Sequence, residues 1–349
     1  ASYDLTCDAG HFLQGTVNGD SIHLGKLQDD PDWGTTSFDL DIAVNLDQMK
    51  PFPAGRVTGD IHNIYYKGYD YQHIGLDARS TSAEVDGTLD IDDENLKAHA
   101  DFAYADVPAK DIQLNLLLER FNPNHLGITE DFQGENLAMN LEASLQGSDF
   151  KHLYGHVVLE DVNLTDECGE YHLDGMRLDA TRQEGGENLY TISSDILSGN
   201  IQGQASLADI AKEFTNQLAH HLPIMFKHAE AEKADFTYDL TLTDAPILHH
   251  FTDADYSIEK PIRIFGNLNS ATQDMSLQVE APCLIYNTKQ YDDVAIACHS
   301  TTDNMNVHAI ATTLQESDDS DIPPFSAKLD MMADVHDNRI VSDLYLNTT

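Results

Sequence analysis

Strict alternation of apolar and polar residues limits what this chain can fold into more than any other feature. Phe38, Leu40, Ile42, Val44 and Leu46 are separated by Asp39, Asp41, Ala43 and Asn45. Leu137, Met139, Leu141, Ala143 and Leu145 repeat the pattern, as do Phe236, Tyr238, Leu240 and Leu242. Phe325, Ala327, Leu329, Met331, Ala333 and Val335 do so again. Successive side chains of a strand point to opposite faces, so these segments read as strands with one dry and one wet face. Strands of a parallel α/β sheet, buried on both faces, would instead read as unbroken apolar runs. Turn dipeptides (Asn18-Gly19, Asp86-Gly87, Gly185-Gly186, Ser198-Gly199) fall between the strands. The expectation is a mainly β, antiparallel fold in which Leu40, Ile42, Val44, Leu137, Met139, Leu141, Leu240, Leu329 and Met331 face inward.

One segment departs from this period. Leu207, Ile210, Phe214 and Leu218 recur at helical spacing, with Ser206 as N-cap, Asp209 in the first turn and Pro223 beyond the end. The spacing predicts an amphipathic helix over 207–223 that divides the chain into β segments 1–206 and 224–349. Its stripe is expected to lie over the apolar face of the flanking sheet. The chain also repeats itself at intervals of about 100 residues. Tyr69 to Ala78 matches Tyr171 to Ala180, and more weakly Tyr291 to Cys298.

With 19 Lys+Arg against 60 Asp+Glu, the 349-residue chain carries a formal net charge of −41. Such a field repels phosphate backbones, so nucleic acid is not an expected partner. A solvated acidic face is the ordinary reading, and calcium binding the sharper one. Asp90, Asp92, Glu94 and Asp101 imitate a calcium loop, although Asn95 stands where the sharp turn needs Gly. Asp318, Asp319 and Asp321 form a second acidic cluster. The four cysteines (Cys7, Cys168, Cys283, Cys298) show no zinc-type spacing. Cys283 and Cys298 flank an expected hairpin turn around 287–293, which suggests either a disulfide between neighbouring strands or two small buried thiols. His220-His221 and His249-His250 lack metal-site spacing, and the first pair is expected to favour the C-terminal end of the helix. Nucleophile-elbow, Walker and dinucleotide motifs are absent from the sequence, so an enzyme is not expected.

The order of segments resembles the AsmA and TamB group of envelope proteins. The resemblance is carried by Asn122, Pro123, Leu126 and Gly127, then the strand Leu137–Leu145, Gly147, the Leu153-Tyr-Gly155-His-Val157 stretch and the hairpin from Tyr171 to Ala180. It implies a repetitive, curled β-groove whose apolar face carries phospholipid acyl chains between inner and outer membranes. It further implies a periplasmic location, an outer-membrane assembly partner of the BamA/TamA type, and a middle fragment whose inner-membrane anchor lies outside this sequence. No run of about 18 apolar residues is present to supply that anchor. An array of β-sandwich modules, structural or adhesive and bridged by calcium on a cell surface, is the alternative.

Overall fold

The structure is a computed structural model. It describes all residues except 1, 9–11, 46, 48–52, 107–108, 130–134, 151, 167–168, 251–254, 316–324 and 349. Leu46, Cys168, Asp318, Asp319 and Asp321 therefore lie outside the described residues. The chain is mainly β, with antiparallel strands and three helices among the described residues. None of those helices is long and apolar enough to cross a membrane. Two compact units divide at Met176/Arg177, within a strand. The helix expected to separate the β segments lies inside the second unit. It covers a sheet face rather than joining two domains.

In the first unit, ten strands form an up-and-down meander: β1 (Ser2–Asp8), β2 (Phe12–His23), β3 (Trp33–Asn45), β4 (Ala54–Tyr66), β5 (Tyr69–Ser80), β6 (Glu84–Asp92), β7 (Leu96–Ala105), β8 (Lys110–Phe121), β9 (Asn136–Gly147) and β10 (Leu153–Asp166). A single turn of helix, α1 (Leu24–Gln28), interrupts it after β2. The boundary strand is β11 (Gly169–Arg182).

The second unit continues with β12 (Asn188–Ser194), β13 (Leu197–Gly203), α2 (Leu207–His221), β14 (Asp235–Leu242), α3 (Pro246–His250), β15 (Tyr256–Ile258), β16 (Ile262–Asn269), β17 (Asp274–Tyr286), β18 (Lys289–Ser300), β19 (Met305–Gln315), β20 (Phe325–His336) and β21 (Arg339–Thr348). Here β14 pairs with β16, and the short β15 lies beside β17. Among the described residues, the strands of each unit pair with near neighbours in sequence, as in a curled, unclosed antiparallel sheet rather than in tandem sandwiches.

Local chemistry explains both the turns and the bends. Lys67-Gly68, Asn287-Thr288 and Asp337-Asn338 each close a hairpin with positive φ at both residues, the two-residue turn that matches strand twist. Ser21, Asp161 and Asp293 take left-handed backbone (φ 52°, 52° and 51°) where the pairing of their strands slips. These bulges bend the strands while keeping their apolar residues in phase. His73 and Asp293, at the same place in two of the sequence repeats, share this conformation (φ 52° and 51°).

The turn between Tyr286 and Lys289 also fixes the two cysteines. Cys283 stands opposite Asp292, whereas Cys298 stands opposite Leu277, six positions along the same strand. At a strand rise of about 3.3 Å per residue that is roughly 20 Å, far beyond disulfide reach. Both are buried free thiols, and burial pushes both pKa values up. The disulfide expectation is overturned because the turn is tighter than the sequence suggested, which shifts the register.

Candidate apolar binding surface

Directly paired residues share a face of a sheet, so the register of the first unit can be read as rows running across all ten strands. One row is Tyr3, Val17, Leu40, Gly59, Leu76, Leu89, Ala100, Leu116, Leu141 and Leu159. The next is Leu5, Gly15, Ile42, Val57, Ala78, Gly87, Phe102, Leu114, Ala143 and Val157, with no polar side chain in it. Val44 belongs to a third row, beside Leu13 and Gly55, and Met139 and Leu137 continue this face along β9. Gly59 (φ 144°) is required where it stands, because a Cβ would meet the carbonyl oxygen of Asp39 at 2.1 Å.

Most large side chains of these rows, Leu40, Leu76, Leu89, Leu116 and Leu141 among them, are half-buried rather than buried. They are shielded by one another, and among the described residues no helix packs over them. The opposite face is charged. Asp41, Thr58, Asp77, Thr88, Asp101, Asn115 and Glu142 share one row of it. An open hollow of about 560 Å³ on this polar face is bordered by Arg56, Asp77, Arg79 and Asp86. Its arginines are already paired, Arg56 Nη2 with Asp77 Oδ2 at 2.6 Å and Arg79 Nη2 with Asp86 Oδ2 at 2.7 Å. Asp90 and Asp92 lie on β6 opposite His99 and Lys97, so the segment from Asp90 to Asp101 is a strand, a turn and a strand. It does not form the calcium loop imitated by its spacing. His99 Nδ1 lies 2.6 Å from Asp90 Oδ1 instead.

One end of the first unit is sealed by the Asn122–Gly127 segment. Leu126 is fully buried, and Ile74 and Leu118 on the apolar face nearby are buried as well. Asn122 Nδ2 donates to the Glu135 carbonyl (2.6 Å), and the Tyr71 hydroxyl donates to the Leu126 carbonyl (3.3 Å). Beside it the buried Asp93 carboxylate accepts from the Tyr69 hydroxyl, the Gln72 amide (3.0 Å) and the Asn95 amide (2.8 Å). Sequence reading singled out the loop but missed Asp93. In a chain with 60 acidic residues its identity alone carries no signal.

In the second unit the corresponding face is covered. Phe236, Leu268, Met275, Ser300, Met305 and Val335 form one row across six strands and are all at most 5% exposed. Leu240, Leu329 and Met331 share this face through their register. Helix α2 lies on it: Ile210 is buried, and Leu207, Phe214 and Leu218 pack against the same cluster. The Phe214 ring meets those of Phe236 and Tyr238 edge-on at centroid distances of 5.6 and 5.4 Å. The helix begins as its sequence requires, with Ser206 Oγ accepting from the Asp209 amide at 3.2 Å.

Ser300 is the single polar side chain in that row, and α2 satisfies it. Gln217 Nε2 donates to Ser300 Oγ (2.8 Å) and to the Gln273 carbonyl (2.9 Å). His221 Nε2 lies 2.8 Å from the same hydroxyl. His221 is therefore a buried clamp rather than a solvated partner of the helix dipole, while His220 reaches the Thr302 carbonyl (2.8 Å). Burial, and secondarily the neighbouring His220, push the His221 pKa below its ordinary value. The legible clue was Ser300 itself, a polar residue in phase with Cys298 and Ile296 on an otherwise apolar strand face. Comparison with protein-family models, with curated proteins and with solved structures found no match to this chain.

Proposed function

We propose that this chain binds the acyl chains of lipids along the uncovered apolar face of residues 1–176, as an envelope lipid-carrying module of the AsmA/TamB kind. The observation that carries the reading is the run of apolar rows across ten antiparallel strands, half-buried and without a packed helix among the described residues. A ligand for such a surface needs extended apolar length and no fixed hydrogen-bond partners. An acyl chain supplies both, at about 0.8 kcal/mol for each CH₂ taken from water. The acidic opposite face keeps the particle soluble and away from anionic membrane surfaces. In this reading the ligand is a phospholipid, the compartment is the periplasm, and an outer-membrane assembly protein of the BamA/TamA type receives the module.

The test is lipid extraction and mass spectrometry of the purified chain, with a fluorescent fatty acid as a displacement probe. Co-purifying phospholipid that the probe displaces supports the reading. A lipid-free protein that leaves the probe unbound overturns it. Calcium distinguishes the adhesive array: a large rise in melting temperature with millimolar calcium would favour that alternative.

A further inference from the structure

Strand β8 carries a lysine in phase with its leucines. Lys110, Ile112, Leu114, Leu116 and Leu118 share one side of the strand, so Lys110 lies on the apolar face. The row containing Val44 continues through Ser80, Val85, Tyr104, Ile112 and Leu145, and Lys110 stands one step beyond it. Leu118, about 26 Å along the strand at a rise near 3.3 Å per residue, marks the other end, beside the Leu126 seal. Arg56, Arg79 and Lys97, by contrast, belong to the polar face, each beside a carboxylate there.

The Lys110 ammonium is held in place by its neighbours. Nζ donates to Asp106 Oδ1 (2.7 Å) and to the Tyr104 hydroxyl (3.0 Å), and it lies 4.6 Å from the centroid of the Phe150 ring. Phe150 stacks on Tyr104 at a centroid distance of 6.1 Å and is itself exposed. Asp106, and then Tyr104, hold the Lys110 pKa above its ordinary value, and Lys110 holds that of Asp106 below its own. Both groups therefore keep their charges. An ammonium has three donors and a carboxylate about four acceptor positions, so the pair can take one more acceptor at Lys110 and a donor at Asp106.

We propose that Lys110 and Asp106 form a headgroup subsite at this end of the apolar face, selective for a zwitterionic phospholipid that carries a phosphate and a primary ammonium. The phosphate takes the remaining donor of Lys110, and the ligand's ammonium takes acceptor positions of Asp106, both as charge-assisted hydrogen bonds. The acyl chains run from Tyr104 and Ile112 along the apolar rows toward Leu118. Charge selects among phospholipids. In a chain of net charge −41, a headgroup with net negative charge meets Asp106 and the general field unfavourably. A zwitterion brings no net charge and answers both members of the pair. This inference rests on the lipid reading and specifies where the headgroup sits and which kind is held.

Vesicles of equimolar phosphatidylethanolamine and phosphatidylglycerol test it, with the whole chain separated by flotation after incubation and its bound lipid quantified by mass spectrometry. The wild type should prefer phosphatidylethanolamine by about tenfold, the scale of one hydrogen bond to a charged group. Lys110→Met should lower that uptake by a similar factor while keeping its affinity for an uncharged fluorescent long-chain alcohol, which also reports an intact apolar face. Asp106→Asn, which keeps the cation, should abolish the preference by admitting phosphatidylglycerol. Equal uptake of the two lipids by the wild type, or a preference unchanged in either variant, overturns the subsite while the lipid reading stands. Displacement of bound lipid by free phosphoethanolamine also overturns it, since the pair would then serve a soluble phosphate ester. A wild-type chain that binds neither the phospholipids nor the alcohol overturns the lipid reading and the subsite together.

Discussion

The two units put the same strand pattern to different ends. In the first, rows of Leu, Val, Ile and Phe run across ten strands and remain half-buried. In the second, the row through Phe236, Leu268 and Met275 is sealed beneath α2. Ser300 marks the difference: its hydroxyl is buried in the middle of an apolar row and needs partners there, which the covering helix brings. Alternation therefore specifies that a sheet has a face to hide, and the elements packed on it decide whether the protein itself hides it.

This contrast can be broken by measurement. The largest expected effect is on the covered face, where Phe236→Ala should cost about 3–5 kcal/mol in urea unfolding, because its cavity lies between strand and helix. A loss near 1 kcal/mol would mean that α2 does not hold the face closed.

A smaller effect concerns His221. Its folded pKa is depressed, so protonation favours the unfolded chain, whose imidazole titrates near 6.5. The stability contributed by the neutral ring is intact above about pH 6.5 and declines as pH falls through that value toward the folded pKa. The carboxylates of Asp77, Asp106 and Asp239, held below their usual range by Arg56, Lys110 and Arg263, lose their contributions only at lower pH, below about 4. Urea midpoints of wild type and His221→Gln between pH 7 and 5 should converge as the pH falls. Parallel profiles would sink the assignment.

The smallest effect is on the open face. Leu141→Asp should cost only about 1 kcal/mol, the scale of lost cross-strand contacts, while fatty-acid binding falls sharply. A loss as large as that of Phe236→Ala would show that this face is packed against protein after all.

Much of the architecture was legible in the residues. The period-2 runs at 38–44, 137–145 and 236–242 became β3, β9 and β14, and the helical stripe from Leu207 to Leu218 became α2 capped by Ser206. Where reading failed, the deciding contact was distant in sequence or a turn was shorter than its composition suggested. The acidic run from Asp90 to Asp101 imitated a loop, but its partners on β5 and β8 draw both halves into the sheet. Asn287-Thr288 reverses the chain in two residues, and that alone moved Cys283 and Cys298 out of reach.

What the sequence by itself determined is which side chains share a face, because the alternation of a strand is a property of its own backbone. It also determined the acidity of the other face and the presence of one amphipathic helix. Only the tertiary structure decided which sheet face that helix covers, because Gln217 and His221 find Ser300 about 80 residues further on, through contacts that no local pattern encodes. It likewise decided that the face of residues 1–176 is left without such a helix among the described residues. Burial is a property of the assembled neighbours, and an alternating strand does not encode which neighbour reaches its apolar face.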